Sequence, residues 1–220
     1  LAFNANMVAN EMFLDSASLR SSVVSHAKSL GYEVTSARAP VATLNVSLST
    51  SSAFKTMSAG TAFTTTVDGT SYQFVTVSDV TASNTGNAVA FDGTLVYEGT
   101  YITTKYLVDT SDVDQRFILT DPATDTTTLS VKVQNSASDT TTTTYVKATD
   151  ISQLTGASTV YYLQEIEGGQ FEVYFGDGVI SSGLSDGNIV TLQYVVTNKT
   201  VANGASAFTA PTAIDSVTNI

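Results

Sequence analysis

A chain of 220 residues has room for one large domain or two modest ones, and with 42% hydrophobic residues it can bury a core. Its net charge of −11, with nine Lys and Arg spread singly, excludes the clustered positive charge that a nucleic-acid groove or an anionic membrane surface requires. There is no Cys, which excludes disulfides and thiolate metal sites, and no apolar run approaches the ~20 residues of a membrane helix. Only 13% of residues are charged, about half the usual share, and Thr is abundant. A β-branched residue suits a pleated, half-buried surface, so the balance points to a packed β protein rather than a disordered chain.

In chain order, residues 1–10 carry no clear pattern. A helix is predicted over Ser16–Leu30, with Ser16 or Ser18 as its cap, an apolar stripe of Leu19, Val23, Ala27 and Leu30, and Gly31 at its C-terminal end. Pro40 closes the linker that follows. From Val41 the period becomes two: Ala42, Leu44, Val46 and Leu48 alternate with Thr43, Asn45 and Ser47, as in a half-buried strand. Thr61–Val67 and Tyr72–Val77 flank Asp68-Gly69, a hairpin signal, and Val89–Phe91 and Thr94–Tyr97 flank Asp92-Gly93, a second and weaker one. Tyr101–Val108 reads as a strand and Asp109–Asp114 as an acidic connector. Phe117–Leu119 and Leu129–Val133 are short strands on either side of Asp121-Pro122. Ser136–Thr144 is a loop or an exposed edge ribbon, and Tyr145–Ala148 a strand. Val160–Gln164 and Phe171–Phe175 form a hairpin around Gly168-Gly169, and Ile189–Val196 follows after a loop holding Asp177-Gly178 and Asp186-Gly187. Beginning at Leu1 and ending in a loose Ala/Thr/Asn-rich tail, the chain reads as a piece of a longer protein.

The residues that could carry chemistry are few. The single histidine, His26, lies beside the helix stripe with no second ligand near it in sequence, and reads as a residue at the edge of a packed helix. Asp109, Asp112 and Asp114 suggest calcium, but the spacing does not match D-x-D-x-D-G, because Arg116 falls where the next acidic ligand is needed, so a solvated acidic turn is expected. Gly176-Asp177-Gly178 lacks the Lys and Ser/Thr of a phosphate loop and reads as a turn. Glu165 and Glu167 lie two apart at a strand end, where sequence shows no cleft for a carboxylate pair. Asn45 and Asn198 head glycosylation patterns that chance accounts for in so Thr-rich a chain. No catalytic, cofactor-binding or metal-binding residue is assigned, and no enzyme activity is expected.

Three blocks together resemble one family. They are E-M-F-L-D-S-A-S-L-R-S-S-V-V-S-H-A-K-S-L-G-Y-E-V at Glu11–Val34 with S-A-R-A-P at Ser36–Pro40, then Y-E-G-T-Y-I-T-T-K-Y at Tyr97–Tyr106 leading to D-Q-R-F-I-L at Asp114–Leu119, and V-Y-F-G-D-G-V at Val173–Val179 with G-N-I-V-T-L at Gly187–Leu192. Their order and spacing resemble the baseplate wedge subunit of contractile-tailed, T-even-like phages, the baseplate-J-like family. The resemblance implies a structural role in the virion tail baseplate, assembled in the host cytoplasm. Its implied partners are other wedge subunits and copies of itself in a ring around the tail hub, as a homo-oligomer in the full-length protein, without nucleic acid or membrane insertion. Members are longer than this chain. A bacterial surface adhesin or sugar-binding β module is the alternative, and a calcium-dependent stability would favour it.

The expected fold is mainly β (α+β): an N-terminal helix, then about ten to twelve short, mostly antiparallel strands. The expected division is 1–40 helical segment and linker, 41–108 and 109–197 as two β-rich subdomains, and 198–220 as a linker or the start of a further region. Sandwich and barrel stay open.

Overall fold

The computed structural model describes residues 2–32 and 34–220. It is mainly β, with thirteen strands among the described residues. Two short helices come first, α1 (Ala2–Glu11) and α2 (Arg20–Ser29). α2 falls inside the predicted helix but begins later, and neither serine caps it. The cap is Glu11 at the end of α1: its carboxylate accepts the Ser18 N–H and hydroxyl at 3.0 and 2.8 Å and the Leu19 N–H at 3.2 Å. α1 was not foreseen, because its residues show little amphipathic pattern and it gains its place through that cap. Gly31 closes α2 as expected, at φ +79°, with the Tyr32 N–H donating to Ala27 O.

The first sheet holds β1 (Val41–Ser49), β3 (Ala62–Val67), β4 (Thr70–Val75) and β6 (Ala88–Glu98), in the order β1-β6-β4-β3, all antiparallel. β3 and β4 form the predicted hairpin, with Asp68 and Gly69 both at positive φ as a two-residue turn of this kind requires. The second Asp-Gly pair does something else. Val89–Phe91 and Thr94–Tyr97 are halves of the single strand β6, not two arms of a hairpin. Leu44 faces Thr94 and Val46 faces Phe91, so Asn45 alone stands opposite Asp92 and Gly93. Gly93 at φ +67° makes this a bulge, and the Asn45 side chain accepts its N–H at 2.8 Å. A separate ribbon pairs β2 (Phe54–Met57) with β5 (Val80–Ser83). Both are four residues long, too short to show a period in sequence.

The second sheet contains β7 (Thr100–Leu107), β8 (Phe117–Leu119), β9 (Thr124–Gln134), β10 (Thr142–Lys147), β11 (Val160–Glu165), β12 (Phe171–Phe175) and β13 (Ile189–Val196). Their order is β7-β13-β9-β10-β11-β12-β8, antiparallel except for the β10–β11 pair. The sheet rolls until its edge strands meet. Tyr106 of β7 donates its hydroxyl to Ile118 O of β8 at 2.8 Å, and its ring stands edge-on to Phe117. Phe117 and Tyr145 both stand edge-on to Phe175, and these rings close over Val131, Leu192, Tyr194, Leu119 and Val173. Side-chain closure of an open sheet answers the question between sandwich and barrel in favour of an incomplete barrel.

The segment after β13, expected as a linker or the start of a further region, returns to the first sheet. Ala202 and Ile214 are buried in its core, Phe208 stands edge-on to Phe74, and Thr209 exchanges backbone hydrogen bonds with Thr64 on β3. The chain therefore passes between the sheets twice, at Gly99 and again at Thr197, and these crossings are stapled together. Glu98, fully buried, accepts the Thr197 hydroxyl at 2.7 Å, the Asn198 N–H at 2.9 Å and the Asn198 side-chain amide at 2.7 Å. Gly99 lies at φ +127°, and a Cβ there would fall 2.2 Å from Val196 O. Only glycine fits. Nearby, buried Asp125 on β9 accepts the Ala39 N–H at 2.9 Å, which fixes the entry to β1.

Three outcomes follow from this geometry. Gly99→Ala costs at least about 3 kcal/mol, since the new methyl meets backbone and the φ is wrong for any other residue. Glu98→Leu costs about 2 kcal/mol or more by removing the acceptor shared by three donors, among them the buried Thr197 hydroxyl. Urea titration of each variant measures both. The third concerns Glu11, whose carboxyl is held down at about 2 from an ordinary 4.5, first by the Ser22 hydroxyl and then by the Ser18 N–H. Because the folded value is depressed, the cap is fully present above 4.5 and is lost as pH falls toward 2. The Ser18 and Leu19 amide resonances accordingly titrate with a midpoint near 2, and Glu11→Gln abolishes the titration.

Candidate interaction surface

The residues singled out in the sequence serve the fold. His26 Nε2 lies 2.9 Å from Glu11 O and ties α2 to α1. Asp109 turns on itself, its carboxylate accepting the Ser111 hydroxyl and N–H, which hold it below its usual range. Asp112 accepts the Asp114 N–H in the same connector. Asp177 caps its loop by accepting the Val179 N–H at 2.9 Å, and that bond is the first cause of its lowered pKa. Glu165 is buried against Arg20, whereas Glu167 is exposed, so the two carboxylates stand in different surroundings. The amide groups of Asn45 and Asn198 are engaged at Gly93 and Glu98. Among the described residues no three His, Asp or Glu side chains gather as they would around a metal ion. No described helix is long and apolar enough to cross a membrane.

Two regions draw distant residues together in pairings that sequence reasoning did not reach, although it had singled out Glu165. In the first, Arg116 before β8 grips Glu172 on β12 through Nε at 2.8 Å and through a second, short contact, while the Tyr174 hydroxyl donates to the same carboxylate at 2.8 Å. Arg116 is the main reason that Glu172 sits below the usual carboxylate range. With three donors directed at it, Glu172 is a fixed acceptor rather than a free base. The trio floors a groove of about 570 Å³ that Phe117, Phe175 and Leu184 line, with Val113 at its mouth 93% exposed. In the second, α2 lies over the β11–β12 turn across a groove of about 770 Å³, held by Arg20 and Lys28.

The apolar exposure is concentrated around these regions. Met7, Val8, Met12, Phe13, Leu14, Leu19, Leu30 and Tyr32 of the helical arm are all exposed, as are Val113, Val179 and Ile180 of the loops around the larger sheet. Scattered exposed apolar residues are ordinary, but so many on a segment of some 30 residues make a candidate interaction surface. No local signal reveals this, because each residue alone fits a helix stripe or a turn.

Comparison with known proteins bears on what such a surface serves. Residues 102–206, the span of the larger sheet and the start of the returning segment, match the family described as bacteriophage baseplate wedge protein gp6, third domain. Over 239 residues the chain is 29% identical to baseplate wedge protein gp6 of Enterobacteria phage T4, covering 98% of this chain and 34% of that protein. The chain thus spans about a third of the length of the curated relative it matches. By these two matches the chain is similar to the baseplate wedge subunits of T4-like phages, which its three sequence blocks resemble.

Proposed function

We propose that this chain is a structural piece of a phage tail baseplate wedge, located in the virion and assembled in the host cytoplasm. On this reading it joins other wedge subunits around the tail hub, and copies of the full-length protein meet in a ring. It does no chemistry of its own. We divide the two β-rich subdomains at Gly99 rather than between 108 and 109, because β7 pairs with β13 in the larger sheet, and residues 198–220 pack back against the first. The observation that carries the reading is the coincidence of the wedge-family match with the larger sheet. The exposed apolar arm supports it, since a lone soluble chain has no use for such a surface and an assembled particle covers it. A low-charge, Thr-rich β scaffold suits a role that asks for rigidity and partner contacts.

An antibody against this chain, imaged by electron microscopy on intact tails from the source, tests the proposal. Label is expected at the distal plate of the tail. Label on cell surfaces, or on no particle, overturns it.

A further inference from the structure

The helical arm meets the larger sheet in an unusual way. α2 has no buried residue, so apolar packing does little to hold it. The described hydrogen bonds from α2 to the sheet converge instead on Glu165, the last residue of β11. Arg20 reaches its carboxylate as a fork, Nε to Oε1 at 2.9 Å and Nη2 to Oε2 at 3.0 Å, and Lys28 donates to its backbone carbonyl at 2.6 Å. Arg20 and Lys28 are eight apart and so share one face of the helix. The β11–β12 turn beneath them carries Gly168 and Gly169, both at φ +77°, a backbone conformation that favours glycine.

The pair is asymmetric. The Glu165 side chain is 3% exposed and the Arg20 side chain 62% exposed. The carboxylate is therefore shut in by the arm, while the guanidinium already faces water and is released at little desolvation cost. Behind the contact lies the groove of about 770 Å³, with Leu19, Val24 and Ile166 on its walls, which the helix spans without filling. On the body side the chain is pinned again at Ser36, whose hydroxyl is 2.9 Å from the Thr126 hydroxyl, and at Ala39. Between the end of α2 and that pin lies Gly31 at φ +79°, a residue free to change its backbone angles.

We infer that α1 and α2 form a releasable arm, latched onto the β11–β12 turn by Arg20 and Lys28 at Glu165 and turning about Gly31. In the latched state Glu165 is covered and Val24 and Ile166 are half-buried across the groove. In the released state Glu165 is hydrated, and Val24 and Ile166 become fully accessible. The latch is polar while the surface it governs is apolar, which lets salt or a competing cation open what hydrophobic packing would keep shut.

The chain has no Cys, so a spin-label pair can be placed without removing any. Labels at Ser29→Cys on α2 and Thr120→Cys beside the turn report the arm by pulsed electron resonance on the full chain. The unaltered latch is expected to give one narrow, short distance. Arg20→Gln combined with Lys28→Gln lengthens and broadens it, raising the released fraction about tenfold or more, as the loss of roughly 1.4 kcal/mol does. About 1 M salt, where the screening length is about 3 Å, does the same to a lesser degree. Glu165→Gln added to Arg20→Gln changes nothing further, because the two act through one contact. Both altered side chains of the helix are on the surface, and an unchanged amide spectrum of the sheet shows that the body stays folded. A distance that stays short and narrow in the Arg20/Lys28 variant overturns the latch, as does an unaltered chain already as broad as the variant.

Discussion

A single buried carboxylate holds the two halves of this molecule in register. Glu98 ends the last strand of the smaller sheet and takes three donors from the residues that follow β13 of the larger one. A charged group placed so deep demands full hydrogen bonding, and it obtains it only while both sheets keep their positions. Gly99 lets the backbones approach closely enough for this, and no side chain would fit there. Asp125 repeats the device at the entry to β1. Sheets that could have hinged about one crossing are instead held by two crossings, two carboxylates and the returning segment packed over Phe74.

That rigidity contrasts with the arm. The body is joined through buried polar groups and aromatic cores, whereas the helices rest on a salt bridge at a rim and leave much apolar surface uncovered. A fixed body bearing a lightly held, apolar arm is a sensible build for a subunit that docks among neighbours. On the proposed reading the stable part sets the geometry and the exposed part meets the partner.

Local features were readable in the sequence and long-range ones were not. The alternation through Leu44, Val46 and Leu48 announced β1, and Asp68-Gly69 announced its hairpin, because each depends on neighbours in the chain. Asp92-Gly93 uses the same residues for a bulge, and only the pairing with β1 tells the two apart. The cap of α2 was sought in the serines beside it but comes from Glu11 on another helix. Glu98, Arg20 and Arg116 looked unremarkable because their partners lie 99, 145 and 56 residues away. The family resemblance nonetheless fell on these places: Y-E-G-T-Y contains Glu98 and Gly99, and S-A-R-A-P contains Ser36 and Ala39. The blocks marked the junction before its physical reason was visible.

The coupling of the two sheets through Glu98 is tested most directly by native-state hydrogen exchange. Backbone amides of Leu48 and Phe74 report the smaller core, and those of Val131 and Leu192 the larger. If Glu98 and the paired crossings make one cooperative body, all four open with the same free energy, and Glu98→Leu splits them into two groups. Two separate opening energies in the unaltered chain would contradict the account, and would leave the sheets as neighbours rather than one structure.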